Sequence, residues 1–320
     1  MKKPHSPQRH LSGNQRAFRA QPTTSNFLAL PKTSSSFTES RCVILPAPYE
    51  YTVTYGGGTR SGPEAIIKAS HYVEFYDEEF ERELCHDLGI ATLPPIKFGK
   101  KADGEAIALL QDAVTELLKL GKFVVTLGGE HTVSLGPIGA YLGRYPQLSV
   151  LQIDAHSDLR DSYQGSGFSH ACIMARVAEI LDPNRIVQVG IRAQCIEEAR
   201  FIREQKVNTF YAHDLRSGKY SAHPGGWQQE VIDRLTDHVY LTFDVDGLDP
   251  SIMPSTGTPE PNGLFWAETV ELLRKVGTHK TIVGFDVVEF SPCNGVSHAD
   301  LTAAKLTYKL MNCALQEGTR

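Results

Sequence analysis

Short runs of nearly continuous apolar residues alternate along this chain with longer stretches in which apolar positions recur every third or fourth residue. The continuous runs are CVILPAP (42–48), FVVTLGG (123–129), LSVLQID (148–154), RIVQVGI (185–191), VNTFYAH (207–213), HVYLTFD (238–244) and TIVGFDV (281–287). Runs without polar alternation are the mark of strands covered on both faces. The periodic stretches predict helices over 63–73, 102–120, 132–144, 170–181, 195–206, 225–237, 266–277 and 299–316. Pro63 opens the first of these and Gly121 stops the second. Strand–helix alternation implies right-handed crossovers between parallel strands. The fold class expected is therefore α/β: a three-layer α/β/α sandwich with a central, mostly parallel sheet. No internal repeat and no linker interrupts residues 41–320, which read as one domain.

The first forty residues behave differently. They are rich in Ser, Thr, Gln, Pro and Arg and lack hydrophobic periodicity, so residues 1–40 are expected to form a disordered tail. Acid-free through Thr38 and containing Arg and Ser, they also suit an organelle transit peptide, a second reading because no amphipathic pattern accompanies it. The tail also hides a charge asymmetry. The net charge is -5, but through Thr38 there are six Lys and Arg and no acid, leaving 26 basic and 37 acidic residues, a net of -11, beyond it. Such a body argues against nucleic acid and suits a cationic small molecule, although surface acidity also serves solubility. No apolar run approaches the about 20 residues that span a bilayer, and none resembles a secretory h-region, so no membrane partner is expected. Six cysteines without a CxxC pair or framework spacing favour reduced thiols and a cytoplasmic location.

Ligands of open parallel sheets bind beyond the carboxyl ends of the strands. Three strand ends here carry unusual chemistry. FVVTLGG leads into Glu130 and His131, LSVLQI into Asp154, His156 and Asp158, and HVYLTF into Asp244, Asp246 and Asp249. In extended backbone, alternate residues share a face, so Asp154, His156 and Asp158 would point the same way, and so would Asp244 and Asp246. Each piece alone is ordinary turn or cap chemistry. Repeated on three strands, four carboxylates and two imidazoles would converge, an arrangement that requires protons or bound cations. Six donors exceed what one catalytic ion uses and suggest two divalent ions. Oxygen and nitrogen donors without thiolate point to Mn²⁺, with Ni²⁺, Fe²⁺ or Zn²⁺ as alternatives.

GGEHT (128–132), DAHSD (154–158) and FDVDGLDPS (243–251) resemble the three metal-binding signatures of the ureohydrolase family, which includes arginases and agmatinases. The likeness runs from about Arg41 to the C-terminus and implies an arginase-like fold and a single ureohydrolase catalytic domain over 41–320. It assigns His131, Asp154, Asp158 and Asp244 to one metal or the bridge, and His156 and Asp246 to the other or the bridge. It also matches the family's loop histidine to His170 in GFSHAC and its late glutamate to Glu289 in GFDVVEF. Without the metal cluster those two would be read as a capping histidine and a solvated strand end. The implied reaction is attack of a metal-bridging hydroxide on a guanidinium carbon, with collapse to urea and an amine. Glu289 would pair with the guanidinium, His170 would pass a proton to the departing amine, and Asp158 would accept a hydrogen bond from the hydroxide. Family members usually assemble as homo-trimers or hexamers.

The substrate loop LRDSYQGSGFSHA lacks the hydroxyl-rich run expected of an arginase. SHAC-x-MARV, YGGGTRSGPEAI and STGTPEPNGL are similar to agmatinases. Agmatine is thus the expected substrate, with putrescine and urea as products. Guanidinobutyrate, guanidinopropionate and free guanidine are the alternatives, and Arg160 or Arg192 would be candidates to hold a substrate carboxylate. A different class, the single-zinc amide hydrolases that share the fold, would use fewer carboxylates; a non-catalytic binding member is the remaining alternative. The GGG at 56–58 lacks a following Lys-Ser/Thr and reads as a turn. Cys172 has no evident base for a thiol mechanism.

Overall fold

In the computed structural model of the protein, which describes residues 18–316, the apolar runs lie side by side in a single eight-stranded sheet. The strands are β1 (Cys42–Ala47), β2 (Ile90–Thr92), β3 (Phe123–Gly128), β4 (Ser149–Ile153), β5 (Ile186–Ile191), β6 (Asn208–Tyr211), β7 (His238–Asp244) and β8 (Thr281–Val288). Their order is β2-β1-β3-β8-β7-β4-β5-β6, and every neighbouring pair is parallel. All seven expected strands are present. β2 went unread because three residues are too few to display a pattern.

The helices are α1 (Lys32–Ser35), α2 (Gly62–Ser70), α3 (Leu84–Asp87), α4 (Asp103–Lys119), α5 (Leu135–Arg144), α6 (Ile173–Ile180), α7 (Ile196–Gln205), α8 (Ala212–Arg216), α9 (Gly226–Arg234), α10 (Trp266–His279) and α11 (Ser297–Ala314). They cover both faces of the sheet. Alternation along β1 divides the core: Cys42 and Ile44 join the side of α2, α9, α10 and α11, while Val43 and Leu45 join that of α4, α5 and α6. The sequence of α4 shows why it forms. Ile107, Leu110, Val114 and Leu117 recur at three and four and are buried, and Asp103, Glu105 and Lys119 sit at the ends that favour their charges. On the opposite layer α11 buries Lys309, whose Nζ lies 2.6 Å from Asp77 Oδ1 and 3.1 Å from Glu79 Oε1. Among the described residues no helix is long and apolar enough to cross a membrane.

The expectation of a disordered tail is corrected for residues 18–40. Phe27, Leu28 and Leu30 are fully buried in the core. Asn26 closes the turn that aims them, its Oδ1 accepting from Leu30 N at 2.8 Å and its Nδ2 donating to Leu30 O at 2.9 Å. The segment lies along the outer side of β2, with Gln21 N donating to Thr92 O at 2.7 Å and Phe27 N to Thr92 Oγ1 at 2.9 Å. A four-residue apolar cluster, FLAL, anchors it; that is too short to register as periodicity inside a polar composition. Residues 1–17 of the expected tail lie outside the described residues.

Candidate metal and catalytic site

The four central strands β3, β8, β7 and β4 end side by side, and each end carries a polar residue into one hollow. His131 follows β3, Glu289 follows β8, Asp244 closes β7, and Asp154 to Asp158 follow β4. His131 Nδ1 lies 3.1 Å from Asp154 Oδ2, 2.9 Å from Asp158 Oδ2 and 3.5 Å from Asp244 Oδ2. His156 Nδ1 lies 3.1 Å from Asp246 Oδ2 and 3.7 Å from Asp154 Oδ1. Two donor groups result, His131–Asp154–Asp158 and Asp154–His156–Asp246, and each has the spacing to hold one ion. Asp154 belongs to both, with one oxygen turned to each histidine.

The convergence is reached by turns and not by continued extended backbone. Asp154 Oδ1 accepts from His156 N at 2.6 Å, and Asp244 Oδ1 accepts from Asp246 N at 2.9 Å. These are short aspartate side chains capturing the amide two residues on, which draws the backbone out of the ladder. Asp158 and Glu289 sit at φ 53° and 60°, a left-handed conformation that costs free energy in residues with a Cβ. The surroundings hold both in place: Asp158 O accepts from Met174 N and Ala175 N at the start of α6, and Glu289 N donates to Gly129 O.

Electrostatics show what the cluster lacks. Burial pushes the Asp158 carboxyl up to about 7, with the Asp154 charge adding to it, and burial likewise holds Asp244 and Glu289 well above the usual carboxylate range. Burial pushes His156 down, yet Asp246 and Asp154 outweigh it and raise the imidazole to about 12. His131 is raised in the same way by Asp154 and Asp158. These shifts gather positive charge or shed negative charge, while burial's upward push on Asp154 is outweighed by the two imidazoles beside it, which hold it below the usual carboxylate range; the bare residues lack cations.

A second observation says where a cation fits. Thr242 Oγ1 gives its hydrogen to Asp286 Oδ1 at 2.7 Å, so it takes the Nε2 proton of His131 at 2.9 Å. In the bare site the upward shift keeps a proton on Nδ1 as well; with a cation in its place the neutral ring would turn a lone pair on Nδ1 toward three carboxylates. Nδ1 is buried and makes no directional hydrogen bond. An imidazole lone pair facing carboxylates is repelled by them unless a metal ion lies between, and the carboxylate-backed histidine is the usual support for such a ligand. The residues therefore fit a divalent ion here.

His170 and Glu289 share the rim. Glu289 Oε1 accepts from His131 N at 2.6 Å, and its second oxygen has no hydrogen-bond partner among the described residues. His170 is pushed down to about 4 by burial and by the positive charges of His131 and His156. Both line a cavity of about 340 Å³ together with Asp158, Arg160, Tyr163, Thr258 and Glu260. A larger hollow of about 610 Å³ beside α2 and α11 lies away from this chemistry. Asp249 stands apart from the cluster, its oxygens accepting from Ser251 N and Gly263 N.

Of the two arginines, Arg192 is committed to backbone carbonyls and Arg160 stands on the cavity wall. Arg192 spends its guanidinium on the carbonyls of Asp246, Glu260 and Gly190. Arg160 reaches the cavity wall but lies over the Tyr163 ring and 3.8 Å from Glu198. Sequence reasoning passed over Thr52, Thr54 and Glu260. Thr52 and Thr54 each bond His170, and Glu260 is a cavity-wall carboxylate that accepts no hydrogen bond among the described residues. The alternating YTVT was the one available signal. Burial pushes the Cys172 thiol up to about 11, which leaves it no thiolate to use.

A sequence model of the arginase family matches residues 40–313. The chain is 38% identical to an N(1)-aminopropylagmatine ureohydrolase of Synechocystis sp., over 96% of each chain. It is 34% identical to an agmatinase of Bacillus anthracis, over 85% of this chain and 90% of that one. Among solved structures, agmatine ureohydrolase of Thermoplasma volcanium superposes with a TM-score of 0.80 at 28% identity, covering 95% of this chain and 97% of the other.

Proposed function

We propose that this chain, which belongs to the arginase family, hydrolyses the guanidino group of a cationic guanidino amine to urea and the corresponding amine. Agmatine and its N1-aminopropyl derivative are the two substrates this reading favours, and from agmatine the amine is putrescine. The observation that carries the reading is the buried Nδ1 of His131, set without a hydrogen bond among three carboxylates at the floor of the cavity.

In this reading His131, Asp154, Asp158 and Asp244 would hold one divalent ion and His156 and Asp246 a second, with Asp154 belonging to both donor groups. Mn²⁺ suits the oxygen-rich set, and Ni²⁺ is the alternative. When bound, such ions bring the pKa of coordinated water from about 16 toward neutrality and so make hydroxide available at working pH. The chain's own residues do the rest. Glu289 offers its unbonded oxygen to the forked donors of the guanidinium, which fixes the planar group over the cluster. Asp158 accepts a hydrogen bond from the attacking oxygen. His170, neutral at working pH, takes a proton and passes it to the departing amine, without which the amine is a poor leaving group.

The unbonded Glu260 carboxylate favours a cationic substrate tail, whereas Arg160 on the same wall is the group that would favour an acidic one. Arg192 is committed to backbone carbonyls, while Glu260 presents an unbonded carboxylate on the wall. Glu260 would hold the distal ammonium. The test is urea release by Mn²⁺-loaded protein from agmatine, N1-aminopropylagmatine, guanidinobutyrate, guanidinopropionate and guanidine, compared by kcat/KM and run alongside metal analysis. Two ions per chain and a preference for one of the two amines are expected. A preference for an acid overturns the substrate reading, and one ion per chain without urea release overturns the reaction class in favour of a single-zinc amide hydrolase. Sedimentation of the same sample checks the expected trimer or hexamer.

A further inference from the structure

We propose that Thr52, backed by Glu130, is a positioning residue that fixes the orientation and tautomer of His170. The proposal rests on the ureohydrolase reading above for what His170 does, but not for how it is held.

Both ring nitrogens of His170 meet hydroxyls from one short segment. Thr52 Oγ1 lies 2.8 Å from Nδ1, and Thr54 Oγ1 lies 2.8 Å from Nε2. His170 N also donates to Thr52 Oγ1 at 3.2 Å. The single hydrogen of Thr52 goes elsewhere, to Glu130 Oε1 at 3.1 Å. Glu130 is buried and acts as an acceptor on both oxygens, since Oε2 accepts from Tyr51 N at 2.7 Å and Thr52 N at 2.6 Å. Thr52 Oγ1 therefore has only a lone pair for the ring, and Nδ1 must carry the proton. Nε2 is left with its lone pair toward Thr54 on the cavity wall.

The approach of the two segments is built into the backbone. Glu130 N donates to Tyr49 O at 2.9 Å, and a Cβ on Gly129 would stand 1.9 Å from that same oxygen. Only glycine lets the end of β3 lie against residues 49–52. The device repeats the one at His131, where Asp286 acts through the Thr242 hydroxyl to place a proton on one nitrogen and a lone pair on the other. At His131, with a cation in place, the lone pair faces the carboxylates. At His170 it faces the cavity.

The proton transfers follow. Nε2 accepts a proton released from the attacking water, and the ring becomes a cation whose Nδ1–H still points to Thr52 and the Glu130 carboxylate beyond it. Nε2 then returns that proton to the leaving nitrogen as its bond to carbon breaks, and the ring is neutral again. A carboxylate one hydroxyl away stabilises the cation and holds the reactive nitrogen in line.

The experiment compares Thr52→Val, which keeps the shape and loses the hydroxyl, with Thr52→Ser, which keeps the hydroxyl. Thr52→Val is expected to lower kcat by roughly tenfold to a hundredfold with KM within about twofold, a part of the about 10²–10⁴ that a positioned proton donor supplies. Thr52→Ser is expected to recover most of it. Independently of activity, ¹⁵N-histidine spectra of zinc-loaded protein, with the His170 signals identified by their loss in His170→Asn, should show the Nδ1–H tautomer in the wild type and its loss in Thr52→Val. Wild-type kcat in Thr52→Val, equal losses in both variants, or an Nε2–H ring in the wild type overturns the proposal. If Thr52→Val does not fold, Thr52→Ala gives the same readouts. If the wild type releases urea from no guanidino compound, the reaction reading fails while the spectra still decide how His170 is held.

Discussion

Two acidic clusters in this protein, each with buried carboxylates, are neutralised in opposite ways. Under α11, Asp77 and Glu79 meet Lys309, whose ammonium lies within 3.1 Å of both and is 2% exposed. The chain brings its own cation, and the pair is complete. At the sheet end, Asp154, Asp158, Asp244, Asp246 and Glu289 share a hollow with the imidazoles of His131, His156 and His170, and among the described residues no lysine lines it. Of the arginines, Arg192 donates to backbone carbonyls, and Arg160 on the wall lies over the Tyr163 ring. A lysine would neutralise that hollow as well as it does under α11, but it would fill the space and end the chemistry. The difference teaches that a carboxylate cluster points to an external ion when the fold withholds an internal one.

Four expected outcomes break or sharpen this contrast. Asp154→Asn removes the carboxylate shared by both donor groups, so urea release should fall at least about 10³-fold, roughly 4 kcal/mol of barrier, with bound metal dropping below two per chain. Retention of both ions and of turnover would end the metal assignment. Lys309→Met leaves Asp77 buried without its cation and should cost about 3 kcal/mol of stability in denaturant melts, while kcat of the folded fraction is unchanged. A parallel loss of kcat would mean that the two clusters are not independent.

The third outcome concerns ions and pH. In the metal-free protein Asp158 is raised from 3.8 to about 7 and His156 from 6.5 to about 12. Between those unfolded and folded values the native state binds more protons than the unfolded chain, so these groups stabilise it at low pH and that stability is lost as pH rises through about 4 to 7 for Asp158 and about 7 to 12 for His156. Divalent ions displace those protons. The rise in Tm on adding Mn²⁺, worth about 2.7 kcal/mol at a hundredfold excess over Kd, should therefore be larger at about pH 8 than at about pH 5.5. A metal-induced shift independent of pH contradicts the site. The smallest effect is at the cavity wall, where Glu260→Gln should raise KM for agmatine about tenfold, near 1.4 kcal/mol, with kcat little changed.

The residues of the cluster were readable because they follow apolar runs, and a parallel sheet places such ends together. Their geometry was less readable. Extended alternation predicted that Asp154, His156 and Asp158 share a face, whereas aspartate side chains capture local amides and Asp158 turns left-handed. The run of hydrophobicity carries no trace of that competition. Thr52 was hidden for another reason: 118 positions separate it from His170, and no local pattern reports a contact across that distance. Glu260 sits in what reads as turn chemistry, and only the folded cavity distinguishes its carboxylate from a solvated one.

The segment along β2 carries a consequence of a different kind. The two outermost strands, β2 and β6, have three and four residues, and the free side of β2 is occupied by Gln21 and Phe27. An open parallel sheet ends in unpaired amides and carbonyls that can recruit a strand from another molecule. Residues 18–40 act there as a selvedge, the finished border that keeps a fabric from unravelling. A chain cut at Arg41 would keep every side chain of the proposed chemistry and lose both the border and the buried Phe27, Leu28 and Leu30, so its failure would show as a lowered Tm with turbidity on warming.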